Sequence, residues 1–171
     1  MRNQRVRNLT HIALLVAFLA AISQISIPTA FSVPFTLQIF AVCLICYIFS
    51  TKKSLIVLAI YISLGAIGIP VFANFQGGIF HLVSYTGGFI WGYFFLVILC
   101  SLKIKKMQIF FGIIGVIICH LLGTIQYSLV AKIPFFTSFL VMSLPYLLKD
   151  FILVILAYFC AKAINSRIKI K

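Results

Sequence analysis

Apolar residues run through this chain in stretches of about twenty, broken by short basic or Gly/Pro-containing segments. About twenty helical residues is the length that crosses a hydrocarbon core of about 30 Å. The pattern predicts six membrane-spanning helices, near residues 9–27, 35–50, 54–70, 84–102, 108–130 and 146–165. No soluble insertion, low-complexity linker or internal repeat separates them. Residues 1–171 therefore read as a single transmembrane domain of the all-α class, with hydrophobic residues at 64% of positions, more than a soluble interior can hide.

Six crossings return both termini to one side. That side would hold Arg2, Arg5, Arg7, Lys52, Lys53, Lys103, Lys105, Lys106, Lys162, Arg167, Lys169 and Lys171, leaving Lys132 and Lys149 on the other. The bias predicts a multi-pass protein with cytoplasmic N- and C-termini. The same dispersal in small groups argues against a nucleic-acid binder despite a formal charge of +13, because no continuous basic patch or arm forms. Basic residues before an apolar stretch also begin a signal peptide, but "HIALLVAFLAAISQISI" has no clear small-x-small cleavage site and five more spans follow, so the segment is expected to be retained.

Two segments interrupt the helical pattern on the outer side. In "SIPTAFSVPFTLQ", Pro28 and Pro34 force a turn or extended backbone and deliver Thr36 and Gln38 to the start of the second span. The longer "GAIGIPVFANFQGGIFHLVSYTGGFIWGY" carries seven glycines between the third and fourth spans. Irregular backbone at membrane depth survives where protein or an aqueous cavity covers it, so this loop is expected to fold back into the bundle mouth. Phe72, Phe75, Tyr85 and Trp91 offer flat apolar surfaces there, and Asn74, Gln76, Ser84 and Thr86 offer hydrogen-bonding groups. That mixture suits a small-molecule pocket. The alternative is a connector with helix-packing contacts, for which Gly88-Phe-Ile-Trp-Gly92 has the right small-residue spacing. Ala13, Ala17 and Ala21 repeat that spacing on one face of the first span, suiting close approach by a helix of this chain or of another subunit.

The chain has one side-chain carboxylate, Asp150, placed beside Lys149 near the outer end of the sixth span. An acid there needs donors or a cation and usually faces a cavity; the plainer reading is a boundary acid favoured by the helix dipole. A carboxylate accepts N–H groups, so Asp150 would hold a urea-like or amide ligand, while Lys149 would complement an anionic tail. Helix neighbours point about 100° apart, so the two need not share a cavity. A lone acid without a phosphate-cradling G-x-x-x-x-G-K-[ST] loop leaves no ATPase site. His11, His81 and His120 are dispersed, with no shared site evident, and Cys43-x-x-Cys46 lacks companion ligands; no metal or cofactor is expected.

The segments "SVPFTLQIFAVCL", "GAIGIPVFANFQGG", "LVSYTGGFIWGY", "LLGTIQYSLV" and "LPYLLKDFILVILA", in this order, resemble the BioY family of biotin-uptake proteins, the substrate-binding S-components of energy-coupling factor transporters. The resemblance implies a six-helix S-component in a prokaryotic cytoplasmic membrane, with the glycine-rich loop covering a biotin pocket. It makes Asp150 the acceptor for the ureido N–H groups, Gln76 the polar loop position, Gln38 part of the Thr-Leu-Gln motif, and Tyr85-Thr86-Gly87-Gly88 the turn before the fourth span. It makes the alanine face of span one the docking surface for a transmembrane coupling subunit, which works with two ATP-binding-cassette subunits. This chain has Ser84-Tyr85 where the family often has Gly-Pro, and Leu153 where many members carry a lysine three residues after the acid. The cation for the ligand carboxylate would then be either Lys149 or absent. The competing readings are a solitary, proton-coupled carrier titrating Asp150, a membrane enzyme acting on lipid, and a purely structural assembly subunit.

Overall fold

The first predicted span is a helix, α1 (Arg2–Ser23), whose C-terminal end runs into a short strand, β1 (Ser26–Ile27). The computed structural model describes residues 2–27, 34–104 and 107–167; Pro28, Lys105, Lys106, Lys169 and Lys171 lie outside them. Strand β2 (Phe35–Thr36) pairs antiparallel with β1, Ser26 opposite Thr36, so the backbone on either side of the proline segment is extended as its sequence requires. Helices α2 (Gln38–Ile48) and α3 (Thr51–Ala66) follow, then a 3-10 turn (Ala73–Phe75) and a one-turn helix α4 (Phe80–Val83) inside the glycine-rich loop. Helices α5 (Gly87–Cys100), α6 (Gln108–Ala131), α7 (Phe135–Met142) and α8 (Leu144–Arg167) complete the chain.

Six of these eight helices occupy the six predicted stretches; α4 and α7 are additional. Helix α6 and residues Gln4–Ser23 of α1 are each long and apolar enough to cross a membrane alone, and α7 with α8 makes a third such element bent by 50°. Helix α2, at 11 residues, is only about 16 Å long. It lies at the centre instead, nine of its residues buried against α1, α3, α5 and α8. An apolar sequence all round a helix is the mark of such a position. Lys103 caps its C-terminal end, its ammonium donating to the Tyr47 carbonyl at 2.7 Å, where the helix dipole favours a cation.

The most extensive helix pair is α5 with α6. Gly88 and Gly92 of α5 face the α6 backbone, and a side-chain carbon at Gly92 would fall 2.7 Å from Cys119 Cα. The small-residue spacing thus does what the sequence suggested within the chain itself. On the outside, Leu14, Phe95, Ile98, Ile117, Leu121, Ile152 and Phe159 are exposed. Such a continuous apolar exterior belongs in lipid, and the chain is a helical membrane protein.

Helix α8 begins below the end of α6. Ser143, at the α7–α8 break, is buried with its hydroxyl 2.7 Å from that of Thr124, seven residues before the end of α6. Pro145 is tolerated immediately after the break because first-turn N–H groups have no helical acceptor. The start of α8 is therefore sunk about 10 Å along α6.

Candidate functional site

This sinking places Asp150. Six residues into α8, about 9 Å further down, its carboxylate is level with His120 of α6 and is only 2% exposed. The acid stays near the N-terminal end of α8 but is buried, because α7 carries the chain back into the bundle before α8 starts. Tyr146 and Lys149, four residues and one residue before it, lie on the α8 surface that lines the same cleft.

The cleft has a cavity volume of about 110 Å³ and is open on one side. Apolar wall comes from Ile39 of α2, Phe72 of the loop, and Phe89, Ile90 and Tyr93 of α5. Polar groups converge from Gln38, Asn74, Gln76, Thr86, Lys149 and Asp150. Six of the eight ligand-contact residues expected from sequence are thus brought to one cavity. Tyr85 and Trp91 are not. Tyr85 sits against Tyr127, ring centroids 5.6 Å apart, and Trp91 donates its indole N–H to the Leu82 carbonyl at 3.1 Å. Both fasten the loop to the helices rather than face the cleft, since Ile90 takes the inward direction on α5 and its neighbour must point elsewhere. Phe75, at the loop tip, is 72% exposed and also lies outside the lining.

The charged centre contains three groups. Asp150 Oδ2 is 2.9 Å from His120 Nε2, and Oδ1 is 2.7 Å from Lys149 Nζ. The lysine contact is an ion pair outside hydrogen-bond geometry, and Oδ1 is buried without a hydrogen bond. Lys149 is held at the mouth by donating to the Thr36 carbonyl at 2.9 Å, with its ammonium 5.4 Å from the centre of the Phe35 ring. The expectation of three unrelated histidines is also corrected. His120 pairs with the acid and His81 lines the same cleft; His11 alone is remote, exposed on α1. A buried carboxylate needs a donor, but the sequence alone does not place His120 beside it.

Neutral hydrogen bonds fix the rest. Gln38 Nε2 donates to the Tyr61 hydroxyl at 2.8 Å, and that hydroxyl lies 3.0 Å from the Val71 carbonyl. The loop's approach to the cleft depends on Gln24, at the end of α1, which sequence reasoning missed. Its Nε2 donates to the Val71 carbonyl at 3.1 Å and its Oε1 accepts the Phe75 N–H at 2.8 Å. Between these points the chain makes a tight hairpin, Phe72 bridging Gln76, with Asn74 and Phe75 at φ of 59° and 56°. Gly78 closes the loop at φ 108°, donating its N–H to the Gly65 carbonyl at 2.6 Å, a conformation open to glycine at little cost. Ser26 Oγ donates to Asn74 Oδ1 at 2.6 Å, tying β1 to the loop tip. On the other flank Gln126 of α6 donates to the Leu82 and Ser84 carbonyls at 3.0 and 2.8 Å. Ala13, Ala17 and Ala21 all lie exposed along one side of α1.

Residues 1–170 match the model of the BioY family. A probable biotin transporter BioY from Pyrococcus horikoshii is 32% identical over 148 residues, covering 86% of this chain and 90% of that protein. The biotin transporter BioY of Thermotoga maritima is 37% identical over 123 residues, 69% of this chain and 72% of that one. Among solved structures, the S-component for biotin from an ECF-type ABC transporter superposes with a TM-score of 0.87 at 26% identity, covering 97% of this chain and 94% of that one. With the matched family model spanning nearly its whole length and an S-component fold beneath it, this chain belongs to the BioY family.

Proposed function

We propose that the chain captures biotin and carries it across the cytoplasmic membrane as the S-component of an energy-coupling factor transporter, residues 1–171 acting as one substrate-binding unit. The observation that carries the reading is the chain's single side-chain carboxylate, buried at a mixed cleft with one oxygen ion-paired to Lys149 but without a hydrogen bond. A cyclic urea offers N–H donors to that oxygen, and charge-assisted hydrogen bonds of this kind are the stronger ones. Phe72, Phe89, Ile90 and Tyr93 supply apolar surface for a fused ring, and Gln38, Asn74, Gln76 and Thr86 supply further polar contacts. Lys149 at the mouth is the group placed to receive an anionic tail.

Binding here is transport without chemistry on the substrate. The loop held by Gln24 is the element that must yield for ligand to enter or leave. Energy comes from outside the chain, from a transmembrane coupling subunit and two ATP-binding-cassette subunits, and the exposed Ala13, Ala17 and Ala21 face is where the coupling subunit approaches α1 closely. Cytoplasmic N- and C-termini follow the basic-residue bias.

The test is biotin titration by calorimetry on the detergent-purified protein, with Asp150→Asn beside it. Saturable binding weakened at least about tenfold in the variant supports both substrate and acceptor, a loss of about 1.4 kcal/mol or more. Retained binding in the variant removes the role given to Asp150, and no binding by folded wild type removes biotin. Uptake in cells that persists without ATP-binding-cassette subunits and collapses with the proton gradient would replace the coupled mechanism by a solitary carrier.

A further inference from the structure

We propose that His120 is the positioning residue of this site: its Nε2–H holds Asp150 Oδ2, so that Oδ1 is the oxygen presented to a ligand N–H. The assignment rests on the biotin reading for its ligand, and on geometry for the rest.

His120 is 2% exposed, and its Nε2 lies 2.9 Å from Oδ2. Its Nδ1 is buried without a hydrogen-bond partner. A proton on Nδ1 would be a buried donor with no acceptor, on a ring already facing a carboxylate, so the proton belongs on Nε2. The ring cannot readily turn away. Phe89 stands edge-on to it, centroids 5.4 Å apart at 85°. The His120 carbonyl accepts from Thr124 Oγ1 at 2.8 Å and lies 3.3 Å from Ser143 Oγ, so the same residue is tied to the α7–α8 break. Imidazole and carboxylate are therefore held by the same junction of α6 with α8.

The consequence concerns which oxygen is free. A carboxylate flanked by Lys149 alone can swing both oxygens toward the ammonium at the mouth. With Oδ2 held by His120, the carboxylate plane is fixed and Oδ1, buried beside the Lys149 ammonium, is the oxygen left without a hydrogen bond. His120 itself need not touch the ligand.

This predicts a reversal that a merely structural histidine does not produce. In Asp150→Asn, the His120 Nε2–H selects the amide oxygen and turns the amide NH2 toward the cleft, donor against donor. Removing His120 frees that amide to flip. Biotin affinity is measured by calorimetry for wild type, His120→Ala, His120→Gln, Asp150→Asn and the His120→Ala/Asp150→Asn double variant, with thermal unfolding of each. His120→Ala should weaken binding at least about tenfold in the wild-type background, yet leave unchanged or improve the Asp150→Asn protein. His120→Gln, which keeps a donor on a side chain of suitable reach, should recover to within about threefold of wild type. Should His120→Ala fail to fold, the histidine tautomer of the wild-type protein, described next, carries the test.

An additive cycle, or unchanged affinity in His120→Ala, overturns the proposal. Nitrogen-15 NMR of histidine-labelled wild-type protein decides it independently of any ligand: an Nε2–H tautomer supports it and an Nδ1–H tautomer overturns it. If folded wild type does not bind biotin, the substrate reading fails, while the tautomer still tests the His120–Asp150 bond.

Discussion

Alanine normally stabilises a helix interior relative to glycine, by about 0.5–1 kcal/mol. At Gly88 the sign should invert. A side-chain carbon there would overlap the Leu122 carbonyl oxygen and come within 2.8 Å of Gly123 Cα and 2.9 Å of Gln126 Cβ. Two of these obstacles are backbone of α6 and cannot rotate away, so α5 and α6 must separate. Overpacking of this kind costs about 1–3 kcal/mol. Set against the propensity gain, Gly88→Ala should lose about 1–2 kcal/mol, or roughly 2–8 °C in Tm for a chain of this size. Cys43, Cys46, Cys100 and Cys119 are free and buried, so a thiol-reactive dye reports unfolding directly in detergent. Ile98→Ala, an exposed position on the same helix, serves as the control and should move Tm little. Biotin affinity should fall with Tm, because α5 carries Phe89, Ile90 and Tyr93 into the cleft. A Tm for Gly88→Ala equal to or above wild type would refute the close-approach argument for this helix pair.

Two further expectations concern the loop and the outer face of α1. Gln24→Leu removes the bond to the Val71 carbonyl and the bond from the Phe75 N–H, each contributing about 0.5–1.5 kcal/mol, so hydrogen exchange at the Phe75 amide should rise by at least about tenfold and biotin should dissociate faster; unchanged exchange would mean that Gln24 does not hold the loop. Ala17→Leu, on the exposed face, should leave biotin affinity in detergent unchanged while abolishing co-purification with the coupling subunit, and intact co-purification would move the docking face elsewhere.

The helices were legible because each apolar stretch is long and its interruptions are charged or contain Gly and Pro. The sites of α2, α3, α5 and α8 along the chain follow from that alone. What the stretches do not encode is depth. Helix α2 has the composition of a span, yet its 11 residues serve as a central buried element. Helix α7 looks like the continuation of an apolar stretch, and the bend at Ser143 that sinks Asp150 arises from a contact with Thr124, nineteen residues away. Lys149, Asp150, Gln38, Asn74, Gln76 and Thr86 could be singled out because polar groups in apolar surroundings are conspicuous. His120 could not be paired with Asp150, because that requires knowing where α8 starts relative to α6. The directions of Tyr85 and Trp91 were similarly unreadable: an aromatic in a glycine-rich loop has as much reason to anchor the loop as to line the cavity.

The ion cluster at the cleft also determines what surrounds the molecule elsewhere. Asp150 is the single side-chain acid, and it is consumed internally by Lys149 and His120. Fourteen lysines and arginines share that one acid, leaving thirteen positive charges in excess. Their neutralisation has to be borrowed, from phosphates of the surrounding bilayer, acids of a neighbouring subunit, or salt. The protein is thus electrostatically incomplete outside its native setting, and the choice of phospholipid and ionic strength during extraction is part of what keeps it folded and dispersed.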